Sequence, residues 1–422
     1  MKFQITDAGL LPLKRGRMIK QLSDSTISGV IDAIVELVTN ADDAYHRLEK
    51  DNPTNPSIIE IFATRIKGGR CTQIKVRDSA SGMSFETLKK AIEFSGDTSG
   101  FKEGKSVRGF FGRGLKESII ALGEGTILSY KEEFISRAHI FYDKGERDAK
   151  FEIAITHPSP EDLKKYGFTT DSGTVVTIDI TNEKKNYIPS SDTFKSLVEK
   201  QFSLRDINSS PNRKIVLHVV EPNREYKYPV KYSYPLGKIV HESSFELGGK
   251  ITRIKILQAE NSLESPIYPD GEAGLLIKTE GAILDNKLFG FESEPAALYF
   301  FGEISCPSIV SIIRDQGDES IVDLNRGGLN WKHDHNIQIL QTVTPILKPL
   351  IIKKRENISS KDDEKVPKDI NKALAEICKK LSKIAHGLLE EENPGKGDIE
   401  SFTIRPLFAN IEPGKSRNFS VY

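Results

Sequence analysis

The sequence predicts an α+β fold: a sandwich of a mostly antiparallel sheet backed by helices, then a second α+β domain and a helical segment toward the C-terminus. Three observations predict it. An amphipathic helix between about residues 24 and 49 has an apolar stripe on one side and oxygen-bearing side chains on the other. Strand-like stretches fall at 126–130, 138–142, 151–156 and 174–180. Beyond 186 the pattern restarts, with a helix near 194–202 and strands near 215–220, 250–257 and 273–278. At 422 residues the chain fills roughly two or three domains. The expected divisions are 1–183, 184–355, a helical coiled-coil-like segment over 356–395, and a β-like tail over 396–422, in which 403–422 read as the first strands of a β-sandwich that then stops, either truncated or paired elsewhere.

Composition narrows the function classes. Lys plus Arg number 60 and Asp plus Glu also 60, so net charge gives no whole-chain argument for nucleic acid or an anionic membrane. No apolar run approaches the ~20 residues of a membrane span. The N-terminus lacks a basic start leading into an apolar core, so secretion is not expected. Three cysteines, Cys71, Cys306 and Cys378, are too scattered for a disulfide framework and suit a reducing, cytoplasmic setting. His333-Asp334-His335 lacks further ligands at zinc-site spacing and reads as a surface loop.

From Ser23 and Asp24, read as N-cap residues, one long helix is expected to run to about Glu49. Ile27, Ile31, Ile34, Val38, Ala41 and Tyr45 alternate spacings of four and three, a stripe that must face a sheet or another helix. Glu36, Asn40 and Asp43 share the other side within an arc of roughly 60°. A solvated polar face is the ordinary reading of such a set. The alternative is an oxygen-donor face that holds Mg²⁺ and positions a water for in-line attack.

Ile74 and Val76 close a strand-like stretch that runs into Asp78-Ser79-Ala80-Ser81-Gly82-Met83. An aspartate there can accept from an exocyclic amine such as that of adenine, while Gly82 lets backbone approach a flat ring. Ordinary turn chemistry is the commoner explanation of an isolated match. Glycine then recurs at 96, 100, 104, 109, 112 and 114 among Lys102, Lys105, Arg108 and Arg113, ahead of an apolar helix from Leu115 to about Leu122. Free N–H groups, the helix dipole and Lys116 are what a phosphate site at a helix N-terminus requires. A flexible surface loop would leave the aromatics within Gly109-Phe110-Phe111-Gly112-Arg113-Gly114 unexplained. No Gly-x-x-x-x-Gly-Lys-Ser/Thr and no convincing strand-to-helix GxGxxG occurs, which removes P-loop and Rossmann readings.

The order of these motifs resembles the GHKL superfamily of ATPases, which includes gyrase B, the ninety-kilodalton heat-shock chaperone, sensor histidine kinases and MutL. Glu36-Leu37-Val38-Thr39-Asn40-Ala41-Asp42-Asp43-Ala44 looks like its N-box. Asp78 to Gly82 is similar to the adenine-binding Asp-x-Gly-x-Gly box, and Gly109 to Gly114 to the second glycine box beneath the lid. Gly173-Thr174, opening a strand, resembles the last box. The resemblance covers about residues 15–182 and implies an ATP-binding domain over 1–183 with a transducer-like domain over 184–355.

The roles that follow are implied by the resemblance. Glu36 would be the general base or water-orienting residue, Asn40 the Mg²⁺ ligand, and Asp78 and Thr174 the readers of adenine. Asp43, Gly82, Met83, Gly109, Phe111, Gly112, Arg113, Gly114, Leu115 and Lys116 would complete the ATP contacts. Lys116, just after the glycine box, is similar to the microrchidia (MORC) branch. Ala80 departs from the pattern: a methyl at the first glycine position is expected to restrict φ or crowd the ring, weakening ATP affinity. In gyrase-like and MORC-like relatives a transducer lysine or arginine reaches the γ-phosphate; Arg326 and Lys332 are the candidates, with Lys332 taken as the second catalytic residue. A plain glycine turn before a helix at 337–352 is the alternative.

The function so implied is a cytoplasmic, Mg²⁺-dependent ATPase that forms a homodimer through its N-terminal domain on binding ATP, a molecular clamp without membrane contact. A nucleotide-sensing scaffold or chaperone-like module with little hydrolysis is the alternative. A sensor histidine kinase needs a phosphoacceptor histidine on a preceding helix, whereas His46, the first histidine, lies within the N-box helix. DNA is a candidate client, compatible with Lys353-Lys354-Arg355, Lys379-Lys380 and Lys383, although such runs are usually solvated helix faces. Ile370, Leu374, Ile377, Leu381, Ile384 and Leu388 form an a/d seam that pairs either with the preceding helix or with a second subunit.

Overall fold

The computed structural model describes residues 15–51, 57–93, 114–279, 281–323 and 328–363, and two short strands at Ile404–Arg405 and Ser420–Val421. The chain divides into two compact units, Met1–Ile351 and Ile352–Tyr422.

The first unit opens with two helices where the periodicity predicts one: α1, Arg15–Thr26, and α2, Val30–Asp51. Ser23 and Asp24 lie inside α1 and cap nothing. The break at Ile27-Ser28-Gly29 is fixed from both sides. The Lys185 ammonium donates to the carbonyls of Asp24 and Ile27, at 2.7 and 2.6 Å, which satisfies the carbonyl end of α1. The Asp32 carboxylate accepts from the Ser28 backbone N–H at 2.8 Å, which starts α2.

Next come β1, Ser57–Ile66, and β2, Arg70–Asp78, then α3, Phe85–Ala91, and α4, Gly114–Leu122. The strands expected at 126–130, 138–142, 151–156 and 174–180 are β3, Gly123–Lys131, β4, Phe134–Asp143, β5, Asp148–Thr156, and β6, Gly173–Ile180, with the short α5, Pro160–Tyr166, before β6. After α6, Ser191–Lys200, and α7, Arg205–Ser209, come β7, Arg213–Glu221, and β8, Arg224–Val230. These strands form one eight-stranded sheet in the order β5-β4-β3-β6-β2-β1-β7-β8. Every neighbouring pair is antiparallel except β1 and β7.

The strand read near 215–220 as part of a second domain therefore sits in the first sheet, with Ile59 beside Ile215 and Ile61 beside Leu217. The core lies between the sheet and its helices. Ile34, Leu37, Val38, Ala41 and Tyr45 of α2 are buried with Ile59 and Ile61 of β1, Ile74 and Val76 of β2, and Ile119 and Leu122 of α4. Burying each large aliphatic side chain contributes about 1.5–3 kcal/mol, so α2 is anchored along its whole inner stripe.

The rest of the first unit is a five-stranded sheet in the order β12-β11-β13-β10-β9. It comprises β9, Gly237–Leu247, β10, Lys250–Ala259, β11, Gly274–Lys278, β12, Ile283–Lys287, and β13, Phe300–Ser305. Two helices follow, α8, Ser308–Asp315, and α9, Asp334–Asp363, which is longer than the 337–352 expected. His333-Asp334-His335 is not a surface loop. It opens α9, with His335 buried and its Nε2 2.9 Å from Ser308 Oγ on α8, a partner that local sequence does not reveal.

In the second unit a two-residue antiparallel pair, β14, Ile404–Arg405, and β15, Ser420–Val421, joins Ile404 to Val421. The apolar seam expected over 370–388 lies outside the described residues. Among the described residues no helix is long and apolar enough to cross a membrane.

Candidate functional site

Alternation along β2 sets the site. Ile74 and Val76 face the core, and Asp78, two residues on, takes the same inward position with only 7 % of its surface exposed. The Ala80 N–H donates to its Oδ1 at 3.0 Å. Burial pushes the Asp78 carboxyl up from 3.8 to about 7, while the backbone amides of Ala80 and Thr174 and the charge of Arg47 pull the other way. A carboxylate oxygen carries more acceptor sites than one amide uses, so capacity for a further donor remains.

Four of the expected residues come together here. Asp78 and Thr174 are register partners on β2 and β6. Gly82 adopts left-handed φ of +58°, and a Cβ there would lie 2.3 Å from the Tyr130 carbonyl, so only glycine fits. The Met83 N–H donates to Ser129 Oγ at 2.7 Å, and Ser129 Oγ lies 3.3 Å from Thr174 Oγ1. Ser129 thus ties the turn after β2 to the start of β6. Sequence reasoning missed it, although a serine at the inward-facing position after Ile127 on an alternating strand is a readable signal.

Ala80 carries no backbone strain, because its φ is not among the positive values. Its methyl is fully buried in the main core. The expectation of a φ restriction at this departure is corrected: the turn reaches its left-handed residue at Gly82 and leaves position 80 in an ordinary conformation.

On α2 the three polar residues differ in exposure. Asn40 is exposed, Glu36 half-buried and Asp43 buried. The helix packs on β2 and α4, and one side chain fixes its position relative to Asp78. Tyr45, read from sequence only as part of the apolar stripe, is buried; its hydroxyl donates to the Ile58 carbonyl at 2.7 Å. It also accepts from the N–H groups of Ile58 and Ser79, at 3.0 and 2.9 Å. Desolvation raises the phenol to about 12. Asn40 and Glu36 lie about 7.5 and 13.5 Å back along the axis from Tyr45, at 1.5 Å per residue.

A second anchor was also missed. Arg213, at the start of β7, reaches the buried Asp42 carboxylate at 2.5 Å and pairs with Glu49, also on α2.

At the start of α4, Gly114 is buried and Leu115 half-buried. Lys116 is buried, and its Nζ donates to the Ala91 carbonyl at the end of α3 at 2.8 Å. Burial pulls its ammonium down to about 8. Gly109, Phe111, Gly112 and Arg113 lie outside the described residues, as does Arg326. Lys332 is exposed, on the turn before α9. That turn is held by Asp285, whose Oδ2 accepts from the Leu329 N–H and Trp331 Nε1 at 3.0 and 2.9 Å.

Among the described residues no group of three or more His, Cys, Asp and Glu could hold a metal ion. Mg²⁺ does not require one, since it is usually bound through one or two protein oxygens, with phosphates and waters completing its octahedron. An exposed carboxamide at Asn40 fits that donor set. A search of curated proteins gives no match. Residues 27–174, from just before α2 to Thr174 of β6, match the family model described as histidine kinase-, DNA gyrase B-, and HSP90-like ATPase, so this part of the chain is similar to the ATP-binding domains of the GHKL type.

Proposed function

We propose that this domain binds ATP with Mg²⁺ and hydrolyses it, and that the cycle closes and reopens a homodimer through the N-terminal domains. One observation carries the reading. A buried carboxylate, Asp78, shares a cluster with Gly82 and Thr174, and the helix bearing Glu36 and Asn40 is hydrogen-bonded through Tyr45 to the next residue, Ser79. The base end and the polar end of the site therefore belong to one rigid frame.

In this reading Asp78 accepts the adenine amine, with Thr174 beside it, while Gly82 and Met83 lie along the ring. Asn40 offers its carboxamide oxygen to the metal, and Asp43 supports that face of α2. Bound Mg²⁺ neutralises charge on the phosphate oxygens. Glu36 orients the attacking water and accepts its proton. The N-terminus of α4, with Gly114, Leu115 and Lys116, offers N–H groups and a favourable dipole to the phosphates; by the resemblance, Gly109, Phe111, Gly112 and Arg113 of the glycine box count among the ATP-binding residues. Lys332 supplies a positive charge to the γ-phosphate. The layout of Lys116 after the glycine box supports a MORC-like relationship, and with it DNA as the client, while the three scattered cysteines favour a cytoplasmic setting. Exposed Lys353 and Arg355 on α9 are compatible with DNA.

The test is phosphate release by the full chain. Glu36→Ala should lower turnover by a factor of about 10²–10⁴ with ATP binding retained. Turnover equal to the parent's overturns the role of Glu36. Sedimentation with a non-hydrolysable ATP analogue should show a dimer that ADP does not support. A monomer under both conditions removes the clamp and leaves a nucleotide-sensing scaffold. DNA binding measured with and without the same analogue tests the client.

A further inference from the structure

We infer that a cavity against the second sheet, remote in sequence from the nucleotide motifs, binds a small organic anion: a carboxylate head on an apolar body of one ring or a short chain. The cavity, about 210 Å³, lies between α7, the segment after β8, and strands β10, β11 and β13. That volume is below the ~300–1,000 Å³ of sites for drug-sized ligands, which limits the occupant to something small. Leu257, Leu276 and Phe301 supply apolar wall, while Arg205, Tyr232 and Lys255 supply donors.

The charge pattern selects the head group. Most lining charges are already matched: Lys278 pairs with Asp206 and Glu303 at 2.9 and 3.0 Å, and Glu272 with Lys200 at 2.7 Å. Among the described residues neither Arg205 nor Lys255 has a carboxylate at ion-pair distance. Arg205 is almost wholly buried, with Nε and Nη2 donating only to the carbonyls of Lys200 and Gly271, at 3.0 and 2.7 Å. Its guanidinium carbon lies 5.3 Å from the centroid of the Tyr232 ring.

Tyr232 provides the second, independent indication. It is 4 % exposed, and its hydroxyl has no hydrogen-bond partner in bonding geometry; the nearby Glu272 carboxylate is engaged by Lys200. Buried hydroxyls are rarely left in that condition without a ligand or solvent to receive them. A buried guanidinium hydrogen-bonded only to backbone carbonyls, a buried hydroxyl outside bonding geometry with its neighbour Glu272, and a half-buried lysine around an apolar chamber match a carboxylate carried on hydrocarbon.

Isothermal titration of the full chain with butyrate, benzoate and phenylacetate, with cyclohexylamine as a cation of similar size, tests the site. At least one carboxylate should bind saturably at one per chain, and the amine should not. Tyr232→Phe and Lys255→Ala should each weaken binding about tenfold. Without ligand, Tyr232→Phe should keep or raise the melting temperature, because the hydroxyl removed has no partner; a clear drop contradicts the inference. Saturable binding by none of the three carboxylates, equal binding of the amine, or undiminished affinity in the Tyr232→Phe/Lys255→Ala double variant overturns it.

Discussion

Replacing Asp78 with Asn should abolish nucleotide binding and, at the same time, stabilise the ligand-free protein in a pH-dependent way. The carboxyl titrates near 7 in the folded chain against 3.8 when solvated, mainly because burial disfavours its charge. At about 1.36 kcal/mol per unit that gap is about 4 kcal/mol, an upper bound on the stability lost by ionising it in place. Because the folded value lies above the unfolded one, the penalty is absent below about pH 3.8, grows as pH rises toward 7, and is complete above it. Asn keeps an oxygen for the Ala80 N–H and has no proton to lose. Urea unfolding of both proteins between about pH 5 and pH 8 should show the variant's advantage growing by up to about 1.4 kcal/mol per unit and levelling above 7. A difference that stays constant over that range, or shrinks, refutes the reasoning. A ligand that donates to the carboxylate should by the same linkage bind more tightly as pH rises through 7.

Three further outcomes follow from the same frame. Tyr45→Phe deletes a hydroxyl that serves Ile58 and Ser79 and should cost about 1–3 kcal/mol, seen as a lower urea midpoint with an unchanged slope, together with weaker ATP binding. Gly82→Ala places a methyl against the Tyr130 carbonyl in a left-handed conformation. It should lower stability by at least about 1 kcal/mol in calorimetry and impair nucleotide binding. Arg213→Ala takes the guanidinium from the buried Asp42 carboxylate and should cost about 3–5 kcal/mol in chemical denaturation; a loss below about 1 kcal/mol would show that α2 does not depend on that pair.

What could be read from sequence was what local periodicity encodes. The stripe of Ile34, Val38, Ala41 and Tyr45 was legible because a helix repeats every 3.6 residues, and β3 to β6 because their side chains alternate. The break at Ile27-Ser28-Gly29 was hidden because the apolar spacing continues through it, while the ammonium that stops α1 comes from Lys185. Gly29 was the only local hint. The parallel pairing of β7 with β1 was equally invisible, since nothing within a strand names its partner. Asp78, Gly82 and Thr174, which the fold brings together, were singled out by residue type and order. Tyr45 could not be recognised as a hydrogen-bonding hub, because its apolar ring satisfies the stripe whatever its hydroxyl does.

The parallel insertion of β7 also decides how this protein can be dissected. A fragment ending near residue 183 would strip β1 of its neighbour, leave a row of peptide groups open along Ser57–Thr64, and strand Asp42 without its guanidinium. A segment cut to the ATPase motifs alone is thus a sheet with a raw, adhesive margin, and a piece with that margin sealed must continue at least through β7, to Glu221.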